Sequence, residues 1–269
     1  MLGNWTQNLN QLHNTFTQGE PYEHVTIPNF FTEEFATRLT NAFPSLEHPR
    51  WYRYYNPLEN KYALNNFTDL PEFRELFEVM QSDEFIQNIR HITGIPDLEK
   101  DTFLHGAGLH YHPRRGKLDM HLDYNIHPIS KKERRVNLII YLNREWQELW
   151  NGGLELWDND FTNCVKRVMP GWNMGVLFRT SDISYHGMPQ PFECPEGTGR
   201  KSVAIYYLSE PRQQTLEHPR SKAQFFPLPW QPMNPQLEEI YRIRKERILS
   251  KSELDRVYPN WENDGGVFW

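Results

Sequence analysis

The sequence predicts a mainly β chain with α: a two-sheet sandwich or jelly roll, with N-terminal helices packed on one sheet and a C-terminal extension behind it. Three observations predict this. Between Asp101 and Leu208, short apolar or alternating runs are punctuated by turn signals at Arg115-Gly116, Asn151-Gly152-Gly153, Pro170-Gly171 and Gly197-Thr198-Gly199, the pattern of a β layer. Ahead of that stretch apolar residues recur at helical spacing. Behind it the composition turns to proline and aromatic residues and then to charge. Residues 1–100 are thus expected to be a helical support region of the same domain, 101–210 the β core, and 211–269 an extension.

Residues 1–20, rich in Asn, Gln and Thr without a period, read as a loosely ordered leader or a helix that docks through Trp5 and Leu12. A short strand over 23–29 precedes Thr32-Glu33-Glu34, a threonine N-cap with an acidic first turn. Phe31, Phe35, Leu39 and Phe43 give that helix its buried stripe. The stretch 48–68, with Trp51-Tyr52-Arg53-Tyr54-Tyr55, has no clear period and reads as a loop pinned to the core by its rings, with a pocket rim or a surface that stacks on bases as the alternatives. Two core-packing helices follow, from Pro71 to Met80 and from Asp83 to the stop signal Gly94.

In the core, the parity of two strands is informative. Val136, Leu138, Ile140 and Leu142 form one apolar face, leaving Arg135, Asn137 and Tyr141 on the other. Likewise Val203, Ile205 and Tyr207 leave Arg200, Ser202, Ala204 and Tyr206 together. A guanidinium and a hydroxyl in one row of small residues suit a carboxylate, because arginine binds it through two parallel hydrogen bonds. Lys201 faces away. The run Lys131-Lys132-Glu133-Arg134-Arg135 reads as a solvated hairpin loop in which only Arg135 turns inward. After Leu208, the ring-rich segment Glu210 to Pro235 and a charged helix from about Gln236 to Leu249 read as a wrap that covers those rings. The end, Trp261 to Trp269, has no physical account from sequence.

Composition excludes several classes. There is no apolar run near the ~18 residues of a membrane span, and Met1 to Gly19 lacks the features of a signal peptide. A net charge of -6 leaves no general footprint for nucleic acid. Two cysteines, Cys164 and Cys194, lack disulfide-framework or metal-site spacing and fit a reducing compartment. The expectation is a soluble, cytoplasmic chain.

The chemistry centres on Asp119-Met120-His121-Leu122-Asp123. On a strand His121 and Asp123 share a face, so an imidazole and a carboxylate converge. A second imidazole would complete the two-histidine, one-carboxylate site that leaves positions open on a non-haem Fe(II), and His186 is the best candidate. His105, His110, His112 and His127 also lie near, with His110 and His112 an alternative pair on one strand face. His121 is preferred because it has a carboxylate at the same-face spacing.

The combination of His121-x-Asp123, a distal His186 and Arg200-x-Ser202 opening the last strand resembles the Fe(II)- and 2-oxoglutarate-dependent dioxygenases. Tyr111, the stretch ending Tyr141-Leu142-Asn143, and Asn151-Gly152-Gly153-Leu154 resemble their prolyl 4-hydroxylase-like branch. The likeness covers residues 101–210 and implies a double-stranded β-helix core. It implies that His121, Asp123 and His186 hold the iron, that Arg200 pairs with the distal carboxylate of 2-oxoglutarate with Ser202 as hydroxyl partner, and that Tyr111 and Tyr141 hydrogen-bond the cosubstrate. It also implies O2 as oxidant, release of succinate and CO2, hydroxylation of an unactivated C–H bond, with desaturation or ring closure left open, and ascorbate as a possible reductant. Asp123 argues against halogenation, for related halogenases lack that carboxylate. One departure is the long interval from His186 to Arg200, where Phe192 to Gly199 reads as an inserted loop. Should Arg200 lie outside the pocket, Arg179 or Lys201 would be its substitute. The substrate is left as a small molecule or a peptide. Two other readings are a catalytically silent jelly roll that binds a carboxylate ligand or a partner, and a cupin-type metalloenzyme that needs no 2-oxoglutarate.

Overall fold

In the computed structural model, which describes residues 1–263, the first segment is ordered against the core. Trp5 is buried and its indole N–H donates to the Phe30 carbonyl at 2.7 Å, and α1 (Leu9–Thr17) follows. Next come β1 (His24–Ile27) and α2 (Glu33–Asn41), the latter capped by the Thr32 hydroxyl, which accepts from the Phe35 N–H. The aromatic stretch is a hairpin, β2 (Tyr52–Asn56) and β3 (Glu59–Leu64). The tight Pro57-Leu58 link lets it pair where the sequence showed no alternation. Then α3 (Pro71–Met80) starts on proline, and α4 (Asp83–Thr93) is capped by Ser82 and stopped by Gly94 at φ 68°, a conformation glycine adopts without strain.

The β core comprises β4 (Glu99–Lys100), β5 (Gly108–Pro113), β6 (Lys117–Leu122), β7 (Glu133–Tyr141), β8 (Leu154–Trp157), β9 (Cys164–Val168), β10 (Met174–Arg179), β11 (His186–Met188) and β12 (Gly199–Ser209). Its antiparallel order is β1-β10-β7-β12-β5-β3-β6-β11-β8-β9. The sheet curls over on itself into a double-stranded β-helix, with the β6-β11-β8-β9 layer facing the β10-β7-β12-β5 layer. The N-terminal region is therefore more than helical support, because β1 and β3 are sheet members.

Parity is as read from the sequence on β12 and, from Val136 onward, on β7. Val136, Leu138, Ile140, Val203, Ile205 and Tyr207 are buried against Phe73, Phe77, Met80 and Phe85 of the helices. Each such ring or branched chain contributes about 1.5–3 kcal/mol. Tyr207 satisfies its hydroxyl by donating to the Met80 carbonyl at 2.9 Å. The opposite face of the same strands, with Arg200, Ser202, Ala204 and Tyr206, lines a cavity of about 360 Å³.

After β12 the chain forms α5 (Gln213–Glu217), β13 (Gln224–Phe225), α6 (Pro235–Glu246) and α7 (Lys251–Val257). β13 adds to the edge of β6, placing Phe225 opposite His121. Trp261 is buried beside Tyr55, ring centroids 4.9 Å apart, while the terminal residues from Asp264 lie outside the described set. Polar contacts as well as rings hold the extension. Lys117 Nζ lies 2.7 Å from Asp119 Oδ1, and the Tyr241 hydroxyl donates to Asp119 Oδ2 at 2.7 Å, all three side chains being buried. Tyr241→Phe strips that hydroxyl from a buried carboxylate and is expected to lower stability by about 1.5–3 kcal/mol in urea unfolding, with the denaturant slope unchanged.

Candidate active site

β6 and β11 run side by side with His121 paired to His186, and Asp123 follows as β6 ends. Period-two alternation turns His121 and Asp123 to one face, and antiparallel pairing brings His186 beside them. One ligand atom from each of the three lies within 4.8 Å of the others, and all three side chains are buried. His121 Nδ1 is 2.9 Å from the Asp119 carbonyl and His186 Nδ1 is 2.8 Å from the Ser184 carbonyl. A carbonyl only accepts, so each Nδ1 carries the proton and each Nε2 presents a lone pair to the centre. Those Nε2 atoms stand 3.8 and 3.7 Å from the two Asp123 oxygens. Phe225 and Phe178 pack on the two imidazoles.

Electrostatics match the geometry. Burial, then the neighbouring His186, push the His121 imidazole down to about 3, so it is neutral and able to ligate. Burial alone would raise Asp123, but Arg134 and the two histidines outweigh it and hold the carboxyl below its usual range. Two imidazole nitrogens and one carboxylate form a donor set for a divalent first-row metal with open positions.

His112 too is held well below its ordinary value by burial. The folded state thus takes up these protons at lower pH than the unfolded chain does, so stability is complete above about pH 6.5 and falls as pH drops below it. For His112 and His121 together the metal-free protein is expected to lose on the order of 3 kcal/mol between about pH 7.5 and 5. Urea melts at the two pH values measure it, and a bound divalent metal should flatten the loss.

Arg200 lies in the same cavity, 2% exposed. Its contacts are neutral: Ser202 Oγ at 3.4 Å and the Tyr141 hydroxyl at 3.2 Å, with Nε unpartnered. No carboxylate is paired with it among the described residues, so this buried cation has room for an anion. Neither substitute competes, since Arg179 pairs with Glu23 at 2.9 Å and Lys201 sits over the Phe43 ring.

Two expectations need correction. Tyr111 does not reach the cavity: it lies in the apolar cluster under the helices, beside Tyr62. Its strand neighbours His110 and His112 take the cavity face, opposite Ser202 and Arg200. The basic run is not a solvated loop either. β7 begins at Glu133, and between the pairs Tyr207–Val136 and Leu208–Arg134 one extra residue, Arg135, is bulged out. That bulge shifts the alternation, so Arg134 rather than Arg135 lines the cavity. Arg135 instead donates to Ser209 Oγ at 2.9 Å.

Arg134 is a site residue that sequence reasoning missed. Its guanidinium carbon lies 3.4 Å from the Tyr124 ring centre and 3.2 Å from that of Tyr206. Nη1 reaches Asp123 Oδ1 at 3.4 Å and Nη2 donates to the His105 carbonyl at 2.8 Å. Also missed were Glu59 and Lys61 of the hairpin, and Lys222, Phe225 and Arg244 of the extension, all in the cavity wall. Only the aromatic density of residues 48–68 hinted at the first pair.

The sequence profile described as the 2OG-Fe(II) oxygenase superfamily matches residues 107–209, the span that carries all three converging side chains and Arg200. Over those residues the chain matches the 2OG-Fe(II) oxygenase superfamily. Prolyl 3-hydroxylase OGFOD1 of Mus musculus is 28% identical over 232 residues, which cover 82% of this chain and 38% of that protein. The Xenopus laevis protein of the same name is 25% identical over 228 residues, covering 71% of this chain and 43% of its own length. The chain thus spans under half the length of these curated relatives. Among solved structures, a Pseudomonas putida prolyl-4-hydroxylase superposes with a TM-score of 0.55 at 16% identity, covering 74% of this chain and 100% of that one. A Trichoplax adhaerens prolyl hydroxylase, solved with a hypoxia inducible factor oxygen degradation domain peptide fragment, gives 0.58 at 17%, covering 77% and 94%. Both show the shared fold. The cofactors of this oxygenase superfamily, Fe(II) and 2-oxoglutarate, fit the donor set and the unpaired guanidinium found here.

Proposed function

We propose that this oxygenase hydroxylates an unactivated C–H bond on a prolyl residue of a peptidyl substrate, with release of succinate and CO2. The carrying observation is the convergence of His121, Asp123 and His186 in one cavity with Arg200, a buried cation lacking an anionic partner. In this reading the three side chains ligate iron, Arg200 binds the distal carboxylate of 2-oxoglutarate, and Ser202 and Tyr141 orient that guanidinium. Iron with 2-oxoglutarate and O2 supplies the oxidising power. The protein positions and shields: the Nδ1–H bonds fix both imidazoles, Arg134 and Asn137 hold Asp123, and Phe225 and Phe178 keep water off the rings. Ascorbate would serve as reductant.

The prolyl assignment is supported by the names of the curated relatives and by the shape of the mouth. Tyr54 and Ile248 belong both to the cavity and to an outer groove between the β2–β3 hairpin and the extension, a path suited to an extended segment. We further infer that residues 1–100 mainly support, with Glu59 and Lys61 in the wall, that 101–210 carry the chemistry, and that the extension from 211 walls the site through Lys222, Phe225 and Arg244. Among the described residues no helix is long and apolar enough to cross a membrane, and unpaired Cys164 and Cys194 suit the reducing cytoplasm. The silent-module reading leaves the intact triad unexplained, and a cupin-type enzyme without 2-oxoglutarate leaves Arg200 unexplained.

The test is succinate release with Fe(II) and 2-oxoglutarate against proline-containing peptides, free amino acids, sugars and nucleosides. Peptide-dependent release with a 16 Da mass gain on proline supports the reading. Release driven only by a small metabolite replaces the substrate class, and a wild-type chain that never binds 2-oxoglutarate overturns the whole reading.

A further inference from the structure

Across β5 and β12, His112 stands directly opposite Arg200, so their side chains are neighbours on the cavity face. His112 is 1% exposed, and neither ring nitrogen has a hydrogen-bond partner in the protein. A core histidine normally satisfies at least one nitrogen, as His121 and His186 do on backbone carbonyls. Native interiors rarely keep a polar group in this condition without a use for it. Phe192 backs the ring, centroids 5.6 Å apart at 34°, so the imidazole is held against the cavity rather than free to turn away. Beside it Arg200 Nε is also unpartnered. A cation and an unsatisfied imidazole, adjacent and facing one space, are complementary to a single carboxylate.

We propose that His112 is a further anchor for 2-oxoglutarate, donating a ring N–H to the distal carboxylate that Arg200 holds. This rests on the oxygenase reading and adds a residue to it. Burial and the adjacent guanidinium keep the ring neutral, so it brings a donor without placing a second buried cation beside Arg200. His112 lies on β5, not on β6 or β11, and is outside the group formed by His121, Asp123 and His186.

The test compares two keto acids by calorimetry on the anaerobic, Fe(II)-loaded full chain. 2-Oxoglutarate has the distal carboxylate; 2-oxopentanoate has a methyl group there. His112→Phe keeps an aromatic ring and removes both nitrogens. It is expected to weaken 2-oxoglutarate about tenfold or more and to change 2-oxopentanoate less than about twofold. Thermal unfolding of the metal-free variant should be unchanged or higher, because two unsatisfied groups are gone. Equal losses for both keto acids, or no loss for either, overturn the proposal while leaving the oxygenase reading intact. Failure of the wild type to bind 2-oxoglutarate sinks that reading first. Should His112→Phe not fold, His112→Ala is judged by the same ratio of affinities.

Discussion

His186→Ala is expected to abolish succinate formation, together with the weak visible band expected of the wild type with anaerobic Fe(II) and 2-oxoglutarate. The expectation follows from geometry: with Nε2 gone, one imidazole and Asp123 are left to hold the metal. Loss of residues that merely support metal ligands costs about 10–100-fold in affinity, so loss of a ligand should weaken iron by more than ~100-fold. The fold should persist, because His186 occupies the start of the short strand β11, whose backbone pairs with β6 and β8 whatever the side chain. Metal titration, the anaerobic spectrum and circular dichroism read the three parts separately. A band that survives in the variant would remove His186 from the centre.

Arg134→Met should have the second-largest effect, on stability and on metal together. The guanidinium is clamped between Tyr124 and Tyr206 and faces the Asp123 carboxylate. Removing it leaves a buried carboxylate short of its main cationic neighbour, which is expected to destabilise the metal-free protein by about 3 kcal/mol. Iron affinity should fall about 10-fold or more as Asp123 loses its orientation. Arg134→Lys should recover little, since an ammonium cannot lie flat between two rings while reaching both Asp123 and the His105 carbonyl. Unchanged urea midpoints in both variants would show the clamp to be idle.

Arg134 also shows where the sequence was legible and where it was not. Alternation on β12 and most of β7 was readable because one face is wholly apolar, and any other register would put Val203 and Ile205 in the cavity. His121, Asp123 and His186 were readable for a related reason, same-face spacing combined with a strand pair. A bulge leaves no such trace: one extra residue at Arg135 inverted the parity beyond it. A run of charge then looked like a loop although Glu133, Arg134 and Arg135 are all buried. Tyr111 failed by one position, because the tyrosine that drew attention points to the helices while its histidine neighbours face the cavity. The walls supplied by Lys61, Phe225 and Arg244 were illegible because they come from segments far from the core in sequence, and nothing local marks a long-range contact.

The pairing of β13 with β6 has a practical consequence. The superfamily match ends at residue 209, which invites trimming the chain there. Such a cut would uncover the backbone donors and acceptors of Leu122 and His121 that Gln224 and Phe225 now occupy, together with the apolar surface beneath α6. A bare strand margin next to exposed rings recruits other chains, so the shortened protein should be recovered as aggregate from expression rather than as a smaller oxygenase.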